Sequence, residues 1–157
     1  MKIEIKTDNL TLCVPGEEQF ERYWGLLNEL QMWQPQNYPE KLEYAKTHEA
    51  FLARGENFFT EDGAEFAVIG ERERYVGRCG FRRTEKGAEF YYNYCMDSWG
   101  HGYSYEAGKA ALEYFFKNFS HDSYYMNVDE RDAAAVRVSE RLGFVKAEDG
   151  LFVQNRK

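Results

Sequence analysis

The stretch DSWGHGYSYEAGKAALEYFF, residues 97–116, places a glycine-bearing loop directly in front of a helical pattern. Apolar residues then recur at intervals of three and four, which is typical of a helix that buries one face. The predicted buried stripe consists of Leu112, Phe115, Phe116 and Phe119. One turn earlier, the same face carries the small residues Ala107, Gly108 and Ala111. Small side chains allow the start of this helix to lie close against a sheet.

The loop in front of this helix has features of an anion-binding site. The first four N–H groups of an α-helix have no partner within the helix, and the helix dipole places positive partial charge there. Gly100 and Gly102 carry no side chain that would keep an anion away from these groups, and Tyr103 and Ser104 add hydroxyls. The stretch matches neither a Walker loop nor the Gly-x-Gly-x-x-Gly fingerprint. Because glycines before a helix also occur in plain turns, spacing alone leaves both readings open.

The rest of the chain predicts a mixed α/β fold in one domain, residues 1–157. The order is a strand, two helices, three strands, a helix, a strand, a helix and a closing hairpin. The first strand is predicted at 3–14, the two helices at 16–30 and 39–55, and the three strands within 58–96. The helix described above follows, and then a strand at 124–128, a helix at 132–143 and the hairpin at 144–154. The result is a mostly antiparallel central sheet flanked by about four helices.

Composition narrows the classes of partner. The net charge of −7 disfavours nucleic acid and anionic membranes and favours cationic partners such as amines, although solubility alone also explains it. No apolar run approaches the ~18 residues of a membrane span, and no export signal is recognisable. Cys13, Cys79 and Cys95 are widely spaced and odd in number, which favours reduced thiols, a cytoplasmic protein and no metal site.

Three blocks of sequence resemble the GNAT acetyltransferases, specifically their RimJ/RimL-like branch. WGHGYSYEA (99–107) resembles the coenzyme-A loop, for which this branch commonly has Trp-Gly-x-Gly-Tyr-Ala followed by Glu-Ala. AEFYYNYCMDSW (88–99) resembles the strand that feeds the loop, and AAAVRVSERLGF (133–144) resembles the second signature of the family. The resemblance covers about residues 7–148. It implies a GNAT-like fold, acetyl-CoA as acyl donor, and direct transfer of acetyl to a primary amine of a small molecule or peptide.

The resemblance also implies which residues hold the coenzyme. They are Cys95, Met96, Trp99, Gly100, His101, Gly102, Tyr103, Ser104, Asp132, Ala135 and Arg137. A free backbone N–H near Cys95 or Met96 would polarise the acyl oxygen. Arg137 and Arg141 lie four apart, so they either reach phosphates or form a solvated basic face. Trp24, Trp33 and Tyr38 are expected to roof the acceptor pocket. Proteins of this fold are often dimers, which leaves a homodimer open.

The proton-transfer residues are predicted from their positions. Glu89 matches an acidic position of the feeding strand and is the predicted proton acceptor, acting through water, with Asp97 and His101 as alternatives. Ser139 stands where many GNAT enzymes have the tyrosine that donates a proton. Tyr94 and Tyr103 are its substitutes. No Cys/His pair indicates a covalent nucleophile.

Two departures from the family pattern define an alternative function. Family members usually have Asn where this chain has Asp132, and often Ser where it has Ala135. A carboxylate near a diphosphate is less favourable than an amide. Together with Ser139 in place of tyrosine, these departures motivate the alternative of a non-catalytic protein that binds or senses acyl-CoA. A third possibility is an interaction protein that kept only the fold.

Overall fold

Eight strands form one sheet in the computed structural model, which describes residues 2–34 and 47–157. The strands are β1 (Glu4–Lys6), β2 (Thr11–Cys13), β3 (Gly63–Ile69), β4 (Tyr75–Thr84), β5 (Gly87–Tyr94), β6 (Ser123–Asn127), β7 (Val145–Glu148) and β8 (Leu151–Asn155). The helices are α1 (Phe20–Trp33), α2 (His48–Asn57), α3 (Tyr103–Asn118) and α4 (Ala133–Arg141).

The strand order is β1-β2-β3-β4-β5-β6-β8-β7. Every neighbouring pair is antiparallel except β5 and β6, which are parallel and are connected through α3. A parallel pair requires a crossover, and a helix is its usual form. The predicted mixed, mostly antiparallel sheet with four flanking helices is confirmed.

Helix α3 packs as its periodicity predicts. Leu112 and Phe115 are buried in the core between the sheet and α3/α4, and Phe116 and Phe119 are half-buried at its edge. Ala107 and Ala111 have no exposed surface. A Cβ at Gly108 would lie 3.1 Å from the side chain of Leu142, so this glycine lets α3 approach α4 as well as the sheet.

A second apolar cluster covers the opposite face of the sheet. It joins α1 and α2 to the strands, and its buried members are Phe20, Tyr23, Leu26, Leu27, Leu30, Phe51, Ala67, Ile69, Tyr75 and Cys95. No helix of the described residues is long and apolar enough to cross a membrane.

Several boundaries differ from the sequence prediction; α1, for example, was predicted at 16–30 and runs from Phe20 to Trp33. The first predicted strand is two strands, because the amide of Thr7 donates to the carbonyl of Leu10 (2.9 Å) and closes a turn between β1 and β2. The second helix was predicted from Pro39, but the part before Thr47 lies outside the described residues. Within them, α2 begins at His48, where the Thr47 hydroxyl accepts from the amide of Ala50 (3.0 Å) and caps the helix.

Candidate functional site

The loop between β5 and α3 leaves open space beside its two glycines. A 3₁₀ turn, Met96–Ser98, follows β5, and α3 begins at Tyr103. Gly100 and Gly102 have φ angles of 86° and 76°, which glycine adopts far more easily than other residues. A Cβ at either position would meet no atom within 4 Å. The backbone is therefore approachable from outside at both glycines.

The amides of this loop are available to a ligand. No described residue accepts a hydrogen bond from the backbone N–H groups of residues 100–105, and the first helical bond runs from Glu106 N to Gly102 O (3.2 Å). The ring of His101 is held by Ser98 O (2.9 Å) and stacks on Tyr103. A row of unbonded N–H groups at a helix start fits an anion such as a diphosphate.

A slot between two strands leads to this loop. β5 and β6 share a single register pair, Glu89 with Tyr125, while β5 continues to Tyr94. Cys95 N donates to Val76 O of β4 (2.9 Å). Because successive amides of a strand point to opposite sides, the N–H groups of Tyr92 and Tyr94 point into the slot. This edge offers backbone partners to an extended ligand.

The expectation of a free amide at Cys95 or Met96 is not met. The Cys95 amide donates to the β4 carbonyl of Val76, and the Met96 amide donates to Glu29 Oε2 of α1 (3.1 Å). Burial raises the pKa of the Cys95 thiol to about 11, so it is protonated at neutral pH and unsuited to nucleophilic attack.

Glu89 lies at the point where the two strands part. Its carboxylate accepts from Arg82 Nε (2.9 Å) and from Asn127 Nδ2 (2.8 Å), which ties together β4, β5 and β6. The side chain points to the α1/α2 face, as do Tyr91 and the other odd-numbered residues of β5, whereas the even-numbered ones pack toward α3.

The other predicted proton carriers are differently placed. Asp97 is bound by both terminal nitrogens of Arg22 (3.1 Å each) and by Arg74, and these contacts lower its pKa, so it is a poor proton acceptor. Ser139 is fully buried, and its hydroxyl lies 3.0 Å from Ala135 O and 2.9 Å from Val136 O within α4.

Tyr92 is a candidate that the sequence analysis did not single out. Burial, followed by the nearby carboxylate of Asp132, raises its pKa to about 12, so the phenol keeps its proton at neutral pH. The alternation of aromatic residues along β5 was visible in the sequence, but the proximity of Asp132 was not. The hydroxyl of Tyr94, an earlier candidate, is buried, and burial also raises its pKa.

The start of α4 borders the same region. Asp132 Oδ1 accepts from Ala134 N (3.1 Å) and Ala135 N (3.2 Å), so the carboxylate caps the helix in place of the family's usual amide. Arg137 is exposed, and the guanidinium of Arg141 lies 3.9 Å from the ring centre of Tyr105 on α3. This contact connects α4 to the first turn of α3.

A carboxylate of α3 fixes the loop helix to the start of the chain. Glu106 accepts from Asn9 N (2.8 Å), from Asn9 Nδ2 (2.9 Å) and from the hydroxyl of Thr7. These bonds orient the first turn of α3, where the unbonded amides lie. This contact could not be predicted from the sequence, because Asn9 and Glu106 are 97 residues apart in the chain.

Of the three aromatic residues expected to cover the acceptor pocket, two lie within the described residues. Trp24 is half-buried and stacks on Phe20 at 5.8 Å, Trp33 is 60% exposed, and Tyr38 lies outside the described residues. A shallow cavity of about 540 Å³ lies elsewhere, between the start of β5 and β8, and contains none of the predicted site residues.

A layer of buried polar side chains lies beneath α1. Arg78 of β4 donates to Tyr23 Oη (2.8 Å) and Asn93 Oδ1 (3.0 Å), and its Nη1 lies 3.4 Å from Glu65 Oε1. Tyr91 Oη also donates to Glu65 Oε1 (2.6 Å). The layer joins three strands to α1 and includes the residues that follow Glu89 on the same face of β5.

Comparison with known proteins agrees with this geometry. Residues 9–145 match the family model described as "Acetyltransferase (GNAT) domain". The uncharacterized protein YkkB of Bacillus subtilis (strain 168) is 29% identical over 73 residues, and this match spans 44% of the chain and 42% of that protein.

Two solved structures show the same fold over nearly their whole lengths. The ribosomal-protein-S5-alanine acetyltransferase of Vibrio fischeri superposes with a TM-score of 0.77 at 15% identity, covering 98% of this chain and 96% of that one. The dodecameric spermidine N-acetyltransferase of Vibrio cholerae superposes with a TM-score of 0.71 at 16% identity, covering 95% of each chain. The unbonded amides of residues 100–105 fit the diphosphate of acetyl-CoA, the acyl donor of the matched family. The chain belongs to the GNAT acetyltransferase family.

Proposed function

We propose that this chain is an N-acetyltransferase that moves acetyl from acetyl-CoA to a primary amine by direct attack. The observation that carries the proposal is the row of unbonded amides at residues 100–105 beside two open glycines. The WGHGYSYEA loop supports membership of the RimJ/RimL-like branch.

The coenzyme would be held by two groups of residues. The loop residues Trp99, Gly100, His101, Gly102, Tyr103 and Ser104 take the diphosphate, while Asp132, Ala135 and Arg137 border it from α4. The residues at the end of β5, including Cys95 and Met96, line the slot, with the amides of Tyr92 and Tyr94 as donors. When bound, acetyl-CoA supplies an acetyl group activated as a thioester.

Glu89 is the proposed proton acceptor. Both of its oxygens already accept a hydrogen bond, but each keeps a lone pair for water. Arg82 and Asn127 fix the carboxylate at the mouth of the slot. The carboxylate therefore takes the acceptor's proton through a chain of water molecules along the slot rather than by direct contact.

For the proton donor, two residues are candidates. Tyr92 is protonated at neutral pH and lies on the strand that borders the slot. Ser139 remains the candidate from sequence position, but its hydroxyl would have to turn away from the α4 carbonyls. We favour Tyr92, because the Ser139 hydroxyl is fully buried within α4. The raised pKa of Cys95 supports a mechanism without a covalent enzyme intermediate.

The acceptor, location and assembly complete the proposal. The Vibrio relatives are named for a ribosomal-protein alanine and for spermidine, so both a protein N-terminus and a small amine fit the proposal. All three cysteines are free, which supports a reducing, cytoplasmic location. A homodimer remains part of the proposal because a relative of this fold assembles into a dodecamer.

A matched pair of glycine variants tests coenzyme binding. Gly102→Val places a side chain where the diphosphate should lie and should weaken acetyl-CoA binding at least 100-fold in calorimetry. Gly150→Val is the control, because Gly150 has nearly the same φ (77°) but lies in the β7–β8 hairpin. Gly102→Ala serves as a milder second variant if the valine variant does not fold. Wild-type affinity in both Gly102 variants would contradict the proposed site.

Turnover separates the enzyme from the alternative function. Free thiol is followed while the protein is mixed with acetyl-CoA and a panel of amines. Release that depends on an amine supports the enzyme. Tight coenzyme binding without turnover of any amine would instead support a non-catalytic acyl-CoA sensor.

A further inference from the structure

Exposed apolar side chains cluster beside the coenzyme loop. Among the described residues, the exposed large apolar ones are Met32, Trp33, Met96, Trp99 and Val145. The first four, here called the rim, lie on the last turn of α1 and on the turn that follows β5. Single exposed apolar residues are common, but a cluster marks a contact surface for a ligand or partner.

One hydrogen bond brings the two halves of the rim together. Glu29 Oε2 of α1 accepts from the amide of Met96, at 3.1 Å. Residues three and four apart share a helix face, so Met32 and Trp33 continue the face that carries Glu29. Trp99 is fixed by its indole N–H, which donates to Tyr94 O (2.9 Å), while its side chain stays exposed.

Glu29 presents a carboxylate oxygen in the middle of this surface. The side chain is half-buried, and no described residue donates to its Oε1. Arg22, on the same helix, uses both terminal nitrogens on Asp97 and its Nε on Tyr75 O (3.0 Å). Within the described residues Glu29 therefore forms no direct ion pair. The guanidinium of Arg22 interacts with its charge only at longer range, so Oε1 can still accept from a cation.

We propose that Glu29 binds the ammonium group of the acceptor and that the acceptor is a primary amine with an apolar body. This inference rests on the proposed function and names the substrate class. The ammonium donates to Glu29 Oε1, a charge-assisted hydrogen bond. The apolar body covers the rim, where the exposed indole of Trp33 offers a large contact area. A polycation gains the same contact with Glu29 but leaves the rim exposed to water.

Two variants of α1 test the role of the carboxylate. Glu29→Gln keeps an oxygen for the Met96 amide, so the turn stays in place, but it removes the charge. It should lower kcat/KM at least tenfold for every amine, while the Kd of acetyl-CoA in calorimetry stays within twofold. Glu21→Gln, a change of the same kind at a glutamate of α1 that is 86% exposed, should leave both values unchanged.

A small panel of amines tests the apolar body. Tryptamine and 2-phenylethylamine should have kcat/KM values at least tenfold above those of ethylamine and spermidine. Trp33→Ala should raise KM at least fivefold for tryptamine but not for ethylamine. Val145→Ala removes an exposed apolar side chain elsewhere and should change neither.

The outcomes separate this inference from the function on which it rests. Wild-type kcat/KM in Glu29→Gln, or a preference for spermidine over tryptamine, would overturn the inference while leaving an acetyltransferase. Absence of acetyl-CoA binding or of any amine turnover would overturn both.

Discussion

Both faces of the sheet carry an apolar cluster, but only the face toward α1 also buries charged side chains of the central strands. Toward α3 and α4, the buried side chains of β3, β4 and β5 include Phe66, Phe81 and Phe90, which pack around Phe115. Toward α1, the same strands bury Glu65 and Arg78, which are 1% and 3% exposed.

The difference assigns separate tasks to the faces. Close-packed aromatic rings make α3 a rigid support for the loop that carries the unbonded amides. The polar face provides hydrogen-bonding side chains on the strand that also carries Glu89. A buried ion pair contributes little net stability compared with apolar residues of similar volume, but losing one partner is costly. The faces should therefore respond differently to substitution.

Phe115→Ala should have the largest effect. It opens a cavity where Phe66, Phe81 and Tyr124 meet, and large-to-small changes of this kind cost about 3–5 kcal/mol. Urea denaturation followed by circular dichroism measures the loss. Phe116→Ala, at a half-buried neighbour, should cost clearly less. Equal losses would show that the core does not centre on Phe115.

Arg78→Met should cost about 3 kcal/mol, because it leaves the buried Glu65 carboxylate with only the more distant guanidinium of Arg54, whose Nη1 lies 3.7 Å from Oε2. On the face toward α1, a second substitution should recover much of this lost stability. Adding Glu65→Leu to Arg78→Met should recover at least half of the lost stability, since both charges of the Arg78–Glu65 pair are then gone. The guanidinium of Arg54 still packs on the ring of Phe58, 3.4 Å from its centre. A double variant less stable than either single variant would mean that the polar layer is itself a net source of stability.

Asp132→Ala should cost about 1 kcal/mol, because α4 loses its N-terminal cap. Asp132→Asn keeps a capping oxygen and should therefore retain the stability that the alanine variant loses. Because it also removes a negative charge, it should tighten acetyl-CoA binding. Calorimetry and urea denaturation on the same samples check both results, and weaker binding by the Asn variant would contradict this account of the departure from the family pattern.

The smallest expected effect is on the pH dependence of stability, to which one carboxylate on each side of the sheet contributes. Burial raises the pKa of Glu106, but the hydrogen bonds from Asn9 and Thr7 outweigh it and lower the pKa. The hydrogen bond from Arg22 lowers the pKa of Asp97. A carboxylate with a lowered pKa stabilises the folded state fully above its unfolded pKa of about 4, and this stabilisation is lost as pH falls through the folded pKa.

Thermal denaturation between pH 7 and pH 3 measures this dependence. Glu106→Gln and Asp97→Asn should each flatten the fall of the melting temperature below about pH 4.5, relative to the wild type. Exposed Asp62→Asn is the control and should not change the slope. A steeper fall in either variant would show that folding raises the pKa of that carboxylate rather than lowering it.

Local features of the fold could be predicted from the sequence because they depend on near neighbours. The burial pattern of α3 follows from apolar spacing along its own turns, and Asp149-Gly150 predicts the last hairpin from the backbone needs of a tight turn. The position of the loop proposed to bind the diphosphate also follows locally, from two glycines before a helix. The identity of the proton acceptor rested instead on resemblance, and it remains a proposal.

Contacts between distant segments could not be predicted in this way. The Met96 amide is occupied by Glu29, 67 residues away, and the turn that divides the first strand is held by Glu106. Neither partner leaves a trace in local periodicity.

The sequence by itself determined the kind and order of the helices and strands and the place of the glycine loop before α3, because backbone conformation and apolar spacing are local properties. Only the tertiary structure decided which amides stay free, which carboxylates are paired and where β5 and β6 part. Those outcomes depend on which groups from distant segments come within hydrogen-bonding distance, and that is settled by packing.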